Sequence, residues 1–182
     1  FKKKDFLAKE GELISFHLIN ENLEKIIFVG LGKPETMLIE NIRQSICIGA
    51  RESIGCSGKI GIILPWEPFD SAAIAKVVGE AIRLSIFKDI RFSSNPTPTK
   101  FPDEIELIGI HESGKNFLAE IDPICSGVEL ARELVGAPPN NLTPSELANK
   151  ALEVANAFNL ESKILTKNEC QEMQMGSYLA VA

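Results

Sequence analysis

The side chains that most often serve as general bases and metal ligands are scarce in this chain. Two histidines, His17 and His111, occur among its 182 residues, and neither belongs to an HExxH motif or to a cysteine–histidine cluster. We interpret them as a strand residue and a strand-end residue. No serine or cysteine is paired with a histidine and an acid in a pattern that establishes a nucleophile. The histidines therefore give no basis for assigning a catalytic group.

Two small groups of carboxylates are the next candidates, because carboxylate oxygens can hold divalent metal ions. Asp103, Glu104 and Glu106 flank a predicted strand, and Glu169 and Glu172 lie in a short polar helix. Side chains in such places usually face water. We interpret all five as surface residues.

The four cysteines are too widely and irregularly spaced for a CxxC metal site. They are Cys47, Cys56, Cys125 and Cys170. We favour free thiols in a reducing cytosol, because buried free cysteine commonly behaves as a small hydrophobic residue. A disulfide or a metal site is the alternative.

A glycine turn, Gly30-Leu31-Gly32-Lys33, follows one predicted strand and precedes a helix. Backbone amides in such a turn can cradle a phosphate. The pattern lacks a third glycine at the dinucleotide spacing and lacks a GKS or GKT motif, and Pro34 removes one amide. We favour a tight strand-to-helix turn, with phosphate binding as the alternative.

Apolar runs and amphipathic segments alternate along the first two thirds of the chain. The predicted strands are Leu13–Ile19, Lys25–Gly30, Lys59–Leu64 and Glu104–Ile110. One helix is predicted from Glu35 to Ser53, with Leu38, Ile42 and Ile46 on its apolar face, and another from an Asp70 cap to Phe87. That second helix buries Ile74, Val77, Val78, Ala81 and Ser85, and Ser93–Lys100 is a polar surface loop. Strands separated by helices predict a largely parallel or mixed sheet with helices on both faces.

The stretch from Ile124 to Ala148 carries the densest signals. Ile124, Val128, Ala131 and Val135 fall at helical spacing, with Leu130 and Leu134 widening the stripe. Gly136 and Pro138-Pro139 end that helix, and Asn140-Asn141 continue the turn. Thr143, Pro144 and Glu146 form a capping box for a helix whose apolar face is Leu147, Ala151, Val154, Ala155 and Phe158, with Asn159 at its end.

This stretch resembles a known family. The run ARELVGAPPNNLTPSELA, at 131–148, and MGSYLAVA, at 175–182, are similar to the segment that opens the catalytic domain of the leucyl (cytosol) aminopeptidases, the M17 peptidases. The family pattern is A-R-D-L-V-N-x-P-x-N-x-L-T-P, followed by G-M-G-x-x-L-A-V. Gly136 stands where the family usually has Asn, and Gln174 where it often has Gly. Both departures lie in predicted turns.

The resemblance implies a fold and a division into domains. We expect a macro-domain-like three-layer α/β/α sandwich with a mixed sheet at residues 1–114 and a linking helix at 115–137. The start of an α/β peptidase domain, a truncated helix-strand-helix-strand, is expected at 138–182. Relatives hold two divalent metal ions, manganese or zinc, with K-G-[IV]-x-[FY]-D-[ST]-G-G and N-T-D-A-E-G-R motifs, and neither motif occurs here. The resemblance therefore implies no catalytic, cofactor-binding or metal-binding residue in this chain.

Composition limits the partners. A net charge of −6 and a pI near 5.1 argue against general binding to nucleic acid or anionic membranes, and Lys2-Lys3-Lys4 is interpreted as a solvated terminus. No apolar run reaches membrane-spanning length. We expect the N-terminal part of a cytoplasmic, hexameric aminopeptidase that acts on peptides, this part being inactive alone and serving assembly or active-site access. The alternative is a macro-like module that binds ADP-ribose or a related nucleotide.

Overall fold

The computed structural model describes residues 6–18, 23–64, 69–94, 100–109 and 118–181. The strands are β1 (Leu13–His17), β2 (Lys25–Val29), β3 (Lys59–Ile63) and β4 (Glu104–Ile108). The α-helices are α1 (Ile39–Glu52), α2 (Ser71–Ile86), α3 (Leu118–Gly136), α4 (Pro144–Ala157), α5 (Lys167–Glu172) and α6 (Gly176–Leu179), and Pro34–Thr36 is one 3-10 turn. The chain divides into two compact units, Phe1–Glu133 and Leu134–Ala182.

Strand pairing in the first unit is of two kinds. β1 and β2 are antiparallel, with Leu13 opposite Val29, whereas β3 and β4 are parallel, with Lys59 opposite Glu104. A parallel pair needs a crossover connection, and α2 lies within it. The predicted α/β class is confirmed. In the described residues the strands form two separate two-stranded sheets, so one sheet covered on both faces stays a prediction.

The predicted strands are recovered with shorter ends. Ile19 and Ile110, the predicted last residues of the first and fourth strands, lie outside the described residues, as does most of the predicted loop at 93–100. The predicted end of the first domain, at Gly114, also lies outside them. Gly30 and Leu64 each lie one residue beyond their strand. The apolar runs thus located the strands correctly.

Helix α1 begins four residues later than its apolar spacing predicts. Pro34 opens the separate 3-10 turn, and Leu38 is the N-cap, with extended backbone angles. The Leu38 N–H donates to Asn41 Oδ1 at 2.6 Å, an arrangement that requires a non-helical residue at this position. Leu38 is 65% exposed, so its assignment to the buried face was wrong, whereas Ile42 and Ile46 are buried as predicted.

Helix α2 is the most buried element, and its predicted cap is confirmed. Asp70 accepts a hydrogen bond from the Ala73 N–H at 2.9 Å, and Phe87 is the C-cap. Ile74 and Val78 are fully buried against Ile42 of α1. Burial of a single aliphatic side chain of this size contributes about 1.5–3 kcal/mol. Packing of α1 on α2 is therefore the main hydrophobic contact of the first unit.

A polar contact attaches the β1–β2 hairpin to the end of α1. The Lys25 ammonium lies 2.7 Å from a Glu52 carboxylate oxygen, and the Ser15 hydroxyl donates to the same oxygen at 2.8 Å. These hydrogen bonds, that from Lys25 first, lower the pKa of Glu52. Val29 packs against α1 on the same side, where its Cγ2 lies 3.4 Å from the position of a Cβ at Gly49.

The buried stripe of α3 differs from the predicted one. Ile121 and Cys125 are buried, whereas Ile124 is 42% and Val135 88% exposed, and Ala131 is exposed as well. The buried side of α3 is therefore a different side of the helix from the predicted stripe. The predicted stripe was wrong because α3 turns the side that carries Cys125 toward α2, and the apolar spacing alone does not show which side meets a partner helix.

The second unit is built of short helices with well-defined ends. Thr143 caps α4 as predicted, and its Oγ1 accepts from the Glu146 N–H at 3.3 Å, which is one of the two hydrogen bonds of the predicted capping box. Asn159 has a left-handed φ of 53°, and the Leu160 N–H donates to the Ala155 carbonyl at 2.8 Å, which is a Schellman ending. Ala155 is buried, but Leu147, Ala151 and Phe158 are exposed, contrary to the predicted apolar face.

The strands implied for residues 138–182 do not form in the described part of this unit. Residues 160–166 are irregular, and 176–179 form the short helix α6. An isolated strand leaves its N–H and C=O groups without partners, and none of the described segments of this unit supplies a neighbouring strand. The expected helix-strand-helix-strand order is therefore wrong for this structure. Gly136 is the last residue of α3 and lies in no turn, contrary to the prediction.

The left-handed backbone of Gln174, which follows α5, allows a test of how that helix ends. It lies at φ 55° after α5, where the Met175 N–H donates to the Cys170 carbonyl. Because a Cβ is strained in this conformation, we expect Gln174→Gly to stabilise the second unit by about 1 kcal/mol. Urea unfolding followed by the NMR signals of Tyr178, the single tyrosine, would measure this.

Gln174→Ala is the matched control, because it shortens the side chain but keeps the Cβ. We expect it to give no gain in the free energy of unfolding. An equal gain in both variants would show that the left-handed backbone is not the cause.

Candidate functional site

The densest polar cluster in the described residues joins α2 to α3. The Arg83 guanidinium of α2 donates to both carboxylate oxygens of Glu129, at 2.8 and 2.7 Å. It also lies 2.7 Å from an Asp122 carboxylate oxygen and 3.0 Å from the Ser126 hydroxyl. A bidentate pair of arginine and carboxylate is geometrically specific and stronger than a neutral hydrogen bond. We call these four residues the Arg83 cluster.

Helix spacing explains how the Arg83 cluster forms. Asp122, Ser126 and Glu129 fall at i, i+4 and i+7 of α3, so they lie on one face beside the buried Cys125. Burial raises the pKa of the Cys125 thiol, which keeps it a neutral packing residue. The hydrogen bonds to Glu129 raise the pKa of Arg83. The charged pairs of the Arg83 cluster therefore lie beside the buried, uncharged Cys125 side chain.

Arg132 also connects the two helices, but here the arginine lies on α3 and contacts the C-terminal end of α2. Its Nη1 donates to the Leu84 carbonyl at 2.6 Å, and its guanidinium carbon lies 5.8 Å from the centroid of the Phe87 ring. The last carbonyls of a helix lack partners within the helix, and a cation placed there is favourable. Arg132 belongs to the ARELV run, so the structure gives this motif residue a concrete role in packing.

Arg91 makes a third contact with α3. It donates to the Glu133 carbonyl at 2.6 Å, and its Nη1 lies 3.6 Å from that residue's carboxylate. Asp89 holds the guanidinium in place through contacts at 2.9 and 2.7 Å, and these hydrogen bonds lower the pKa of the Asp89 carboxyl to about 2. Three arginines thus attach the C-terminal half of α3 to α2 and to the segment that follows it.

This arrangement can fix a helix in place. The carboxylates of Asp122, Glu129 and Glu133 are all engaged by arginine. The chemistry supported by these residues is therefore positioning.

Two backbone amides of the glycine turn, those of Gly30 and Gly32, are engaged within the protein. The Gly30 N–H donates to the Glu12 carbonyl at 2.8 Å, and the Gly32 N–H donates to the Ala8 carbonyl at 3.0 Å. A Cβ at Gly30 would lie 2.1 Å from the Lys9 carbonyl oxygen, and Gly32 has a φ of 80°. Glycine at these positions is thus explained by close backbone approach. The geometry favours the tight turn over a phosphate cradle.

The other sequence candidates are dispersed over the surface. His17 is exposed, and His111 lies outside the described residues. Asp103 accepts from the Gly58 N–H at 3.0 Å, and Lys59 pairs with Glu104 and Glu106 on the parallel strands.

The carboxylates of the second unit are also separate from any cluster. Glu169 completes a capping box with Thr166, whose N–H donates to it at 2.8 Å and lowers its pKa, while Glu172 is exposed. Each carboxylate thus has a local structural role or faces water.

Metal binding finds no support within the ranges that the structure describes. These ranges contain no group of three or more His, Cys, Asp or Glu side chains that could hold an ion. Cys47 and Cys56 are partly buried, whereas Cys125 and Cys170 are buried. No helix of the described chain is both long and apolar enough to span a bilayer.

Sequence reasoning missed the Arg83 cluster. Arg83 lies on a helix already assigned to the core, and Asp122 precedes the stretch in which the α3 stripe was sought. The polar i, i+4, i+7 pattern was present and marks a helix face with a charged partner. The pattern could not identify that partner, because the contact joins distant parts of the chain.

Comparison with known proteins gives consistent matches over the chain. Residues 1–96 match the model of the cytosol aminopeptidase family's N-terminal domain, and residues 129–182 match the model of its catalytic domain. A probable cytosol aminopeptidase of Prochlorococcus marinus (strain SARG) is 55% identical over 181 residues, covering 100% of this chain and 36% of that protein. A probable cytosol aminopeptidase of Synechococcus sp. (strain CC9311) is 40% identical over 99% of this chain and 36% of its own length.

Solved structures agree with these matches. A tomato leucine aminopeptidase mutant superposes with a TM-score of 0.86 and 26% identity, over 98% of this chain and 36% of that one. The bottromycin maturation enzyme BotP, in complex with Mn, has a TM-score of 0.68 at 21% identity over 84% of this chain and 32% of its own, which shows a common fold alone. The chain thus spans about a third of the length of these proteins.

Loss of the Arg83 contacts should loosen α3. We expect Arg83→Gln to lower the free energy of unfolding by about 1–2 kcal/mol, because charged hydrogen bonds to two carboxylates are lost. Amide exchange of the α3 residues 121–129 should accelerate on the order of 10-fold. NMR-detected hydrogen exchange would measure it.

Arg43→Gln is the matched control, because Arg43 also pairs with two carboxylates, Glu40 and Glu80, and its side chain is similarly exposed. It contacts α1 and α2 and should leave α3 exchange unchanged. Equal acceleration by both variants would contradict a specific role for Arg83.

The glycine turn predicts an absence of nucleotide binding. Because the Gly30 and Gly32 amides already donate to carbonyls, we expect no micromolar binding of ADP-ribose in isothermal calorimetry. A macro domain known to bind ADP-ribose serves as the positive control. A micromolar dissociation constant that Gly32→Ala abolishes would restore the nucleotide-binding alternative.

Proposed function

The chain belongs to the cytosol aminopeptidase family, and from this membership we propose that it is the N-terminal part of a metal-dependent aminopeptidase that releases N-terminal amino acids from peptides. One observation carries the proposal: two models of this family match the chain in the order N-terminal domain, then catalytic domain. Close relatives are about 2.8 times as long, as their 36% coverage implies. A free-standing binding module would have no need of the catalytic-domain segment.

The proposed task of this part is assembly and control of access to the active site. Residues 1–114 form the small domain, 115–137 the linking helix, and 138–182 the start of the catalytic domain. The boundary between the two compact units falls within the linking range, and the match to the catalytic domain begins there as well. The contacts of Arg83, Arg91 and Arg132 support this task, because they fasten the linking helix.

The metal ions belong to the proposal for the whole protein. We infer two divalent ions, manganese or zinc, that supply the hydrolytic chemistry when bound. The described residues of this chain do not fit such a centre, because no group of three potential ligands occurs among them. No step of hydrolysis is therefore assigned to these residues, and this part of the protein is expected to be inactive alone.

The remaining features of the whole protein follow from the same family membership. Peptides are the proposed substrates, a hexamer the proposed assembly, and the cytoplasm the proposed location. The net charge of −6 argues against general binding to nucleic acid. No contact in the glycine turn favours the nucleotide-binding alternative.

Peptidase activity tests the proposal directly. The full-length polypeptide, supplied with manganese or zinc, is expected to hydrolyse leucyl-p-nitroanilide, and a chelator should abolish the activity. The 182-residue chain under identical conditions is the matched control and should show none. A full-length protein that binds metal but releases no p-nitroaniline would refute the assignment.

A further inference from the structure

Helix α3 contains two residues that weaken a helix, and both lie in its first half. Pro123 is inside the helix, and Gly127 follows four residues later. Proline has no N–H, so the Ala119 carbonyl receives no hydrogen bond from the residue four positions further on. Glycine in a helix interior is less favourable than alanine, because it gives up more backbone freedom. The stretch up to Gly127 is therefore a poor helix by its sequence alone.

Packing does not require a glycine at position 127. A Cβ at Gly127 would meet none of the described parts of the chain around the helix within 4 Å, and the residue is exposed. Gly127 is also not among the glycines with a positive φ. It therefore differs from Gly30 and Gly32, which close backbone approach and a left-handed φ explain. What glycine adds at position 127 is freedom of the backbone.

Few buried side chains hold the first half of α3. Among residues 119–127, Ile121 and Cys125 alone are buried. The second half has further contacts, because Arg132 donates to the Leu84 carbonyl and the Glu133 carbonyl accepts from Arg91. Gly127 thus separates a weakly held half of the helix from a firmly held one.

Arg83 contacts α3 on both sides of Gly127. Before the glycine it bonds to Asp122 and Ser126, at 2.7 and 3.0 Å, and after the glycine it bonds to Glu129, at 2.8 and 2.7 Å. The Asp122 side chain is 81% exposed, whereas that of Glu129 is 21% exposed. Because water and salt screen an exposed ion pair more strongly, the contact before the glycine is the weaker one.

We propose that Gly127 is a hinge in α3 and that Arg83 is the clasp that holds this hinge closed. In the open state residues 119–126 leave α2 and lose their helical hydrogen bonds, while residues 129–133 stay attached. Opening exposes the Cys125 side chain, which is fully buried in the closed state. The hinge is a property of this chain and goes beyond the proposed function. Where α3 links two domains, the hinge gives the link a point at which it can bend.

Labelling of Cys125 by N-ethylmaleimide tests the hinge, because the thiol reacts only when it is exposed. Peptide mass spectrometry follows this one cysteine in the full-length polypeptide. The open fraction obtained from the labelling rate should be on the order of 100-fold larger than the open fraction that amide exchange gives for Val78 in α2. Equal fractions would overturn the hinge, because Cys125 would then be exposed only when the whole first unit unfolds.

Amide exchange locates the point at which the helix breaks. The Ser126 amide, before the glycine, should exchange at least about 10-fold faster than the Glu133 amide after it. Equal exchange of these two amides would contradict a hinge at Gly127, because α3 would then open as a whole.

Gly127→Ala changes the hinge without changing its surroundings, because the added methyl group enters open space. It should slow the labelling of Cys125 about 5-fold, the factor that the helix propensities of the two residues imply. Cys170, which is buried in the second unit, is the internal control, and its labelling rate should not change. An unchanged rate for Cys125 would refute the hinge.

Salt tests the clasp. An increase in NaCl from about 0.05 M to about 0.5 M should speed the labelling of Cys125 about 2–3-fold, because the exposed contact with Asp122 is screened. Arg83→Gln should label faster at low salt and lose the salt dependence, and an equal salt effect in this variant would refute the clasp. None of these measurements involves hydrolysis, so a lack of peptidase activity would bear on the proposed function alone.

Discussion

The packing of α1 against α2 is the contact on which the first unit depends. Ile42, Ile74 and Val78 are fully buried there, and both sheets border this helical pair. Truncation of such a side chain to alanine typically costs 2–5 kcal/mol, a large part of the stability of a domain. The hairpin attaches to α1 through Glu52, and α3 attaches to α2 through Arg83. The sheets and α3 are thus held in place by elements packed on a single hydrophobic contact.

The two kinds of attachment have different physical characters. The α1–α2 contact is apolar and non-directional. It therefore drives the two helices to pack, but it defines their relative position only loosely. The Arg83 cluster adds direction, because a guanidinium meets two carboxylates in one geometry. Its side-chain exposure of 32% means that water screens part of the charge interaction. Specification of the α3 position is therefore its main contribution, with a moderate gain in stability.

Several helix ends were predicted correctly from local signals, although the start of α1 was not, and the contacts between elements were missed. Asp70, Thr143 and Asn159 mark helix ends through bonds to near neighbours, so their residue types sufficed. The α3 stripe was placed on the wrong side of the helix, because the choice of buried face depends on a partner helix that periodicity does not show. The prediction of strands in the second unit was wrong for a related reason. A strand forms only where a neighbouring strand accepts and donates its backbone hydrogen bonds.

The difference between the two units bears on how the chain folds. β3 and β4 pair in parallel across the whole of α2, so their ladder requires closure of a long loop before any of its bonds form. The described part of the second unit consists of short helices whose bonds join neighbours in sequence. Folding rates fall as the sequence separation of native contacts grows. The β3–β4 ladder should thus form late, after the helices on either side of it, and would be the part most exposed to misassociation during synthesis.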